Sequence, residues 1–329
     1  MQLLLSQAAF ERIETRLRGV APDIDVVTVA TPEIWMHRGK TIAAGQVNPD
    51  LAWLSNDVFR AGLLPSMLTS IQNAPHLKWV QIFLAGLDNP AFKVIIGKGI
   101  RLTKSSAQAV SIAEYITAHA FSLIVPIKAQ QEAQSRSEWK PTPYREISQT
   151  RWTLIGFGAI GTEVAKRLKP YGVHLTVVRR HAGPSNLADE VVETSRLPDV
   201  LPKADVVVLA CALNDQTRHM GNDAFFNAMK ENAILINIGR GALIDDEALR
   251  RGLDRNKPGQ AVLDVFATEP LPADNWMWTH PAIRVSAHTS PFGSGTSGRG
   301  DELFLENLKR YLAGDKLLNE ATRADVGLS

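Results

Sequence analysis

The stretch that most constrains this chain is Thr153 to Gly161, T-L-I-G-F-G-A-I-G. An apolar run leads straight into Gly156, Gly158 and Gly161, spaced G-x-G-x-x-G. A helix-forming segment follows, Thr162 to Leu168, with Val164, Ala165 and Leu168 apolar. The order is strand, tight turn, helix start. There the first glycine permits the turn and the second lets backbone approach a pyrophosphate. The third lets the helix pack close to its strand, with the helix N-terminus facing the anion. Glycine-rich turns also occur without ligands, so the strand-and-helix setting is what makes this spacing a dinucleotide-site expectation. It marks Gly156, Gly158, Ala159, Ile160 and Gly161 as candidate cofactor contacts.

A chain of 329 residues has room for about two domains. Apolar content of 45% and charged content of 21% suit ordinary globular cores. The net charge is +2, with Lys and Arg spread along the chain, which argues against a nucleic-acid groove or a membrane-binding stripe. The single cysteine, Cys211, rules out an intramolecular disulfide and fits a reducing compartment. Met1 to Phe10 lacks the basic start of a signal peptide, and Ile116 to Val125 is about half the length of a membrane span. The expectation is a soluble, cytoplasmic protein. No metal site is expected, because the His residues are scattered and neither an H-E-x-x-H nor a Cys pair occurs. No G-x-S-x-G nucleophile elbow occurs either.

Residues 1 to 113 alternate short apolar runs with helical patterns. Strands are expected at Ile24–Val29, Leu51–Leu54, Leu77–Phe83, Val94–Ile96 and Ile100–Thr103. Ser111 to Ile124 has helical apolar spacing, and residues 130 to 151 read as a polar, Pro-containing loop. From Thr153 the alternation is regular. Six strands are expected at Thr153–Ile155, Leu175–Val178, Val206–Leu209, Ile234–Ile238, Ala261–Val265 and Ile283–Ser286, with helical stretches between. That is α/β, a doubly wound parallel sheet. Asp301 to Ala313 reads as a helix returning to the first domain, which would make that domain discontinuous: 1–112 completed by 292–329, around 113–291. Linkers near 111 and 292 would let a cleft close by hinging.

Ligands of such sheets bind beyond the carboxyl ends of the strands. After the second strand comes V-V-R-R-H, with Arg179 eighteen residues past Gly161. NAD sites place a carboxylate here, on the ribose hydroxyls. Arg179 and Arg180 instead offer forked donors to a 2′-phosphate, which favours NADP(H), with NAD(H) as the alternative. Two solvated arginines on a loop are the bland reading. After the third strand, Ala210, Cys211, Ala212 and Thr217 are small enough to let backbone lie along a nucleotide, with Cys211 a filler rather than a nucleophile. The fourth ends in Ile238-Gly239-Arg240-Gly241, where an Arg between glycines suits a bidentate grip on a carboxylate. The fifth ends in Asp264 and reaches Glu269, and the sixth ends in His288, nineteen residues on. A carboxylate against an imidazole fixes its tautomer and favours the cationic ring, the makings of a general acid. A lone His288 would be structural; with Arg240 and Glu269 on neighbouring strand ends, catalysis is the better reading. Trp276 and Trp278 either wall that pocket or cover core.

These motifs resemble the D-isomer-specific 2-hydroxyacid dehydrogenase family across roughly Leu77 to Thr296. The resemblance lies in A-G-L-D-N at 85–89, Ala113-Glu114, G-F-G-A-I-G at 156–161, N-I-G-R-G at 237–241, D-V-F-x-x-E-P at 264–270 and H-T-S at 288–290, in that order. It implies a Rossmann nucleotide domain inserted in a smaller flavodoxin-like α/β substrate domain, and a homodimer paired through the nucleotide domain. It implies that Arg240 binds the substrate carboxylate, that His288 is the acid/base with Glu269 its partner, and that Ala85, Gly86 and Leu87 present backbone N–H groups to the carboxylate. Asp264 would sit near the nicotinamide carboxamide, and Ile238, Gly239 and His288 would be further cofactor contacts. Arg179 departs from the acidic residue of NAD-using members and is similar to NADPH-using glyoxylate and hydroxypyruvate reductases. Lys104-Ser105 departs from the Asn common before a small residue there. The expected activity is hydride transfer to a small 2-oxoacid, giving the D-2-hydroxyacid. The alternative is an NAD(P)-sensing binding protein of the same fold, akin to the family's corepressors.

Overall fold

The computed structural model describes residues 1–328. The chain forms two compact units, Met1–Gln108 with Ser294–Ser329, and Ala109–Gly293.

The first unit opens on strand β1 (Gln2–Ser6), whose Leu3, Leu4 and Leu5 have no exposed surface. A strand buried on both faces reads as a continuous apolar run, as parallel central strands do. The Ser6 side chain accepts from the Ala9 N–H and caps helix α1 (Gln7–Val20). Strand β2 (Asp25–Val29) follows, then the hairpin β3 (Trp35–His37) and β4 (Lys40–Ile42). Arg38 and Gly39, at φ 49 and 75, turn that hairpin as a two-residue loop with both residues left-handed. Strand β5 (Leu51–Leu54), helices α2 (Asn56–Arg60) and α3 (Leu64–Asn73), strand β6 (Trp79–Ile82), helix α4 (Pro90–Gly97) and strand β7 (Arg101–Thr103) complete the segment. The sheet order is β4-β3-β2-β1-β5-β6-β7, parallel except for the hairpin strands. Without the hairpin this is the flavodoxin-like order.

The second unit begins with helices α5 (Ala109–Ile124) and α6 (Ile127–Ser135). Then come β8 (Arg151–Ile155), α7 (Ala159–Leu168), β9 (His174–Arg179), β10 (Glu190–Glu193), α8 (Leu197–Val200), β11 (Val206–Leu209), α9 (Asp223–Ala228), β12 (Ile234–Asn237), α10 (Asp246–Leu253), β13 (Gln260–Leu263) and β14 (Ile283–Val285). The order β10-β9-β8-β11-β12-β13-β14 is a fully parallel, doubly wound Rossmann sheet. One face packs under α5 and α7 through Ile116, Val164 and Leu168. The other packs under α9 and α10 through Phe226 and Leu249.

The chain then returns to the first unit as α11 (Thr296–Ala313). Phe304 stacks on Trp53 at 4.2 Å and lies 5.8 Å from Trp79. Arg12 clamps this helix, donating to Asp301 at 2.9 and 3.0 Å and to Asp57 at 2.8 and 2.9 Å.

Three expectations are corrected, and a strand that was not expected is added. Val94–Ile96 is helix α4, not strand. Asn89 accepts from Ala91 N–H at its start and Pro90 takes the first position, so the short apolar run is one face of a helix. The supposed loop from 130 holds the end of α6. The Leu3–Leu5 run is a central strand, and the Rossmann sheet has a seventh strand, β10, at its polar edge. Among the described residues no single helix is long and apolar enough to cross a membrane.

Candidate active site

The glycine turn follows β8. Gly156 sits at φ 104, and a Cβ there would lie 2.6 Å from Ala210 C and O and 2.7 Å from Cys211 N. Only glycine fits that backbone and that approach. A Cβ on Gly161 would lie 2.5 Å from Gly156 O, so α7 presses onto the turn. A Cβ on Gly158, the residue capping α7, would meet nothing within 4 Å. The outer side of the turn is therefore open where Gly158 and Ala159 are exposed, at the positive end of a ten-residue helix. That cradle fits a pyrophosphate.

Arg179 ends β9 and donates from Nη2 to Gly183 O at 2.8 Å, which folds the following loop over its guanidinium. Its Nε is buried without a protein partner, and Arg180 is exposed. Past β11, Thr217 Oγ1 donates to Ala212 O at 2.7 Å and accepts from Asn214 N–H at 2.8 Å, bracing its own loop. Ala210 is half-buried beside Gly156. Burial pushes the Cys211 thiol up to about 11, and its Sγ lies 3.7 Å from Met220 Sδ, so it is a filler and no nucleophile.

β12, β13 and β14 are adjacent, with Asn237 opposite Leu263 and Leu263 opposite Val285. The register delivers Arg240, Asp264 to Glu269, and His288 to the same edge of the sheet. Buried Asn237 shapes the first turn, accepting from Gly239 N–H at 3.1 Å and donating to Arg240 O at 3.0 Å. The half-buried Arg240 donates from Nη1 to Gly239 O at 2.7 Å. Ile238 and Gly239 are buried, Ile238 in the core under α5 and α7. Glu269 accepts Phe266 N–H on Oε1 at 2.9 Å and faces His288 Nδ1 with Oε2 at 2.8 Å. The carboxylate only accepts, so Nδ1 carries the proton and Nε2 is turned away from Glu269. Both side chains are about two-fifths exposed, open to a ligand.

His288 sits at φ 48, a left-handed position that a non-glycine residue holds only if its neighbours impose it. Asp264 imposes it. Its carbonyl accepts His288 N–H at 2.9 Å, Oδ1 accepts Thr289 N–H at 2.8 Å, and Oδ2 accepts Ser290 N–H at 3.0 Å. Asp264 has no exposed surface, so the structure shows it holding the 286–290 turn.

Arg240, Glu269 and His288 thus share one edge of the second unit. Ala85, Gly86 and Leu87 lie on the first unit, after β6. Ser105 N–H bonds Leu84 O at 3.0 Å and Gln108 Nε2 bonds Phe83 O at 3.0 Å, so the segment leading into them is fixed. Trp276 packs on the core and Trp278 is half-exposed, its Nε1 donating to Pro272 O at 2.9 Å. Sequence reasoning missed the supports, Asn237 and the Phe266 N–H. Their only signal was an Asn two residues before a glycine, and backbone has none.

Fold and turn together define a dinucleotide-binding Rossmann protein. A family model described as D-isomer specific 2-hydroxyacid dehydrogenase, NAD binding domain, matches residues 117–290, just over half the chain. A glyoxylate reductase/hydroxypyruvate reductase of Homo sapiens is 30% identical over 262 residues, covering 74% of this chain and 77% of that one. A 2-hydroxyacid dehydrogenase family protein of Aeromonas salmonicida superposes with a TM-score of 0.78 at 25% identity, covering 98% and 99% of the two chains. An NADPH-dependent glyoxylate/hydroxypyruvate reductase of Sinorhizobium meliloti, solved with NADP and sulfate, gives 0.79 at 21% identity, covering 98% and 99%, a likeness of fold. The chain belongs to the D-isomer-specific 2-hydroxyacid dehydrogenase family, NAD(P)-dependent oxidoreductases that include glyoxylate reductases.

Proposed function

We propose that this chain is a reductase of small 2-oxoacids of the glyoxylate and hydroxypyruvate type, preferring NADPH and yielding the D-2-hydroxyacid. The observation that carries the reading is the 2.8 Å contact of His288 Nδ1 with Glu269, on the strand edge that also carries Arg240. The bound dinucleotide would supply the hydride to the keto carbon. The cationic His288 ring, carrying a proton on each nitrogen, gives the keto oxygen the one on Nε2, the nitrogen that Glu269 leaves uncommitted, and is left as the neutral Nδ1–H ring. Arg240 holds the substrate carboxylate and stabilises negative charge developing on the oxygen. Glu269 favours the cationic ring before the transfer and holds the Nδ1–H tautomer after it.

The preference for NADPH is supported by Arg179 at the end of β9, followed by Arg180, where a carboxylate would repel a 2′-phosphate. The Sinorhizobium reductase, with the same fold, is NADPH-dependent by description. We also infer a homodimer paired through the second unit, on which Trp139 (99%), Tyr144 and Ile127 expose large apolar side chains that pairing could cover.

Glyoxylate, hydroxypyruvate, pyruvate and phenylpyruvate, each offered with NADPH and NADH, test the reading. Expected is NADPH oxidation fastest with the first two. No turnover with any of them, alongside tight NADPH binding, would sink the reductase in favour of a dinucleotide-binding protein. Faster turnover with NADH would sink the cofactor assignment alone.

A further inference from the structure

We infer that Tyr115, acting through Ser286, is a positioning residue for the acid/base turn. Ser286 Oγ donates to Asp264 Oδ1 at 2.6 Å, and Tyr115 Oη lies 2.6 Å from Ser286 Oγ. Donor counting fixes the direction of the chain. The carboxylate accepts only, so the one Ser286 proton goes to Asp264, and Tyr115 must donate to Ser286. Burial, together with the nearby Asp264 charge, pushes the Tyr115 hydroxyl up to about 12 although the Ser286 bond pulls the other way, so the donor stays protonated. Tyr115 O–H, Ser286 O–H and the Asp264 carboxylate form one continuous line, and hydrogen bonds in such a line polarise one another.

Asp264 needs that line. Its carboxylate is buried and is held by Ser286 Oγ and the Thr289 and Ser290 N–H groups. The same Oδ1 that accepts from Ser286 accepts from Thr289 N–H, the residue after His288. Removing the hydroxyl at the far end frees Ser286 to rotate and lets Oδ1 shift, and the left-handed His288 backbone loses a restraint. Tyr115 is itself held firmly. It stands on α5 between Ile112 and Ile116, both in the core, and its ring lies against His119 with centroids 4.2 Å apart. α5 is also the first element after the chain leaves the first unit at Gln108. The turn carrying His288 is thereby tied to that helix.

The inference rests on the reductase reading, and the test separates the two. The full chain is assayed with NADPH and hydroxypyruvate as wild type, Tyr115→Phe, Ser286→Ala, Ser286→Thr and Tyr115→Phe with Ser286→Ala. Phenylalanine keeps the ring on His119 and removes only the donor. Expected for Tyr115→Phe is kcat lowered about five- to tenfold, the size of one buried hydrogen bond read on a barrier, with KM for both substrates within about twofold. Ser286→Thr should restore most of the kcat that Ser286→Ala loses. The double variant should be no slower than Ser286→Ala, because both act through one line. An active wild type with unchanged kcat in Tyr115→Phe overturns the inference, as do losses that multiply in the double variant. A kcat loss that only follows the folded fraction also overturns it. If Tyr115→Phe does not fold, the Ser286 pair decides on the same criteria. An inactive wild type instead overturns the reductase reading.

Discussion

Gly241 gives the sharpest test of how the site is held. A Cβ there would lie 1.8 Å from Phe266 C, 2.2 Å from Ala267 N and 2.3 Å from Phe266 O, all backbone. Real Cβ atoms essentially never come within 3.0 Å, so in Gly241→Ala the Phe266–Ala267 peptide must retreat by about 1.2 Å. Phe266 N–H, two bonds from that carbonyl carbon, is the donor to Glu269 Oε1 at 2.9 Å, and a retreat that carries it along stretches the bond towards the limit of hydrogen-bond range. Glu269 is then less firmly held by the contact that aims its other oxygen at His288. A misplacement of roughly 1 Å in a catalytic group costs about 10²-fold in rate, and overpacking costs about 1–3 kcal/mol in stability. The expected result is kcat for hydroxypyruvate reduction down about 10²-fold. NADPH affinity should change little, because the glycine turn after β8 is untouched. Steady-state turnover, NADPH fluorescence titration and a thermal melt read the three quantities. A folded Gly241→Ala with normal kcat would refute the link from Gly241 through Phe266 to Glu269. Lost NADPH affinity at constant kcat would refute it too.

Four further outcomes are expected. His288→Ala should lower kcat by about two to four decades, the size of a positioned general acid, and near-normal turnover would remove His288 from the role. Arg179→Asp with Arg180→Ala should swing the ratio of kcat/KM values towards NADH, and an unchanged ratio would refute the phosphate clamp. Burial alone would push the Asp25 carboxyl up, but bonds from His37, Gln2 and Arg38 overcome it and hold it at about 2. A depressed carboxyl stabilises above its unfolded value of 3.8 and loses that contribution as pH falls towards 2, so the unfolding free energy from urea titration should fall across that window by about 1 kcal/mol, and Asp25→Asn should flatten the slope. Arg12→Met strips Asp301, 3% exposed, of its hydrogen-bonded partner and leaves it Arg16 at 3.9 Å, and should cost about 2–4 kcal/mol in chemical unfolding, with much of it recovered by adding Asp301→Leu; an additive double variant would contradict a paired clamp.

What the sequence made legible follows its periodicity. Strands such as Val206–Leu209 and Ile234–Asn237 are buried on both faces, so their apolar runs stand out and their register brings distant residues to one edge. Where two principles compete, reading fails. Val94–Ile96 is β-branched and apolar, yet the Asn89 cap and Pro90 begin a helix there and packing decides. Glu190–Glu193 pairs along one edge only, so its charged residues hide the strand. The hairpin at Trp35–Ile42 had its signal in Arg38-Gly39 but lies between stretches of weak pattern. In the site, Arg240, Glu269 and His288 were legible because their residue types have chemistry. The parts that aim them were not, since a backbone N–H, a serine and a tyrosine in a helix look the same in sequence whether they aim a group or fill space.

That asymmetry has a physical basis. A group that meets a ligand must keep exposed surface, and Glu269 and His288 do, at 38% and 44% of their side chains. Exposed side chains are cheap to move, so their geometry must be set from behind by groups that solvent does not reach. Asn237 and Asp264, both fully buried, do this for two strand ends by satisfying the backbone N–H groups of the turns they support. A buried polar side chain tolerates little displacement, because each bond it loses leaves an unpaired group away from water at a cost of about 1–3 kcal/mol. The rigidity of the candidate site therefore comes from its least accessible polar residues. The same reasoning orders the expected losses: exposed Arg180 alone should alter only cofactor choice, whereas Asp264→Ala, which releases Ser286, Thr289 and Ser290 at once, should cost both fold stability and turnover. An Asp264→Ala enzyme that melts normally and turns over at the wild-type rate would show that the turn holds itself.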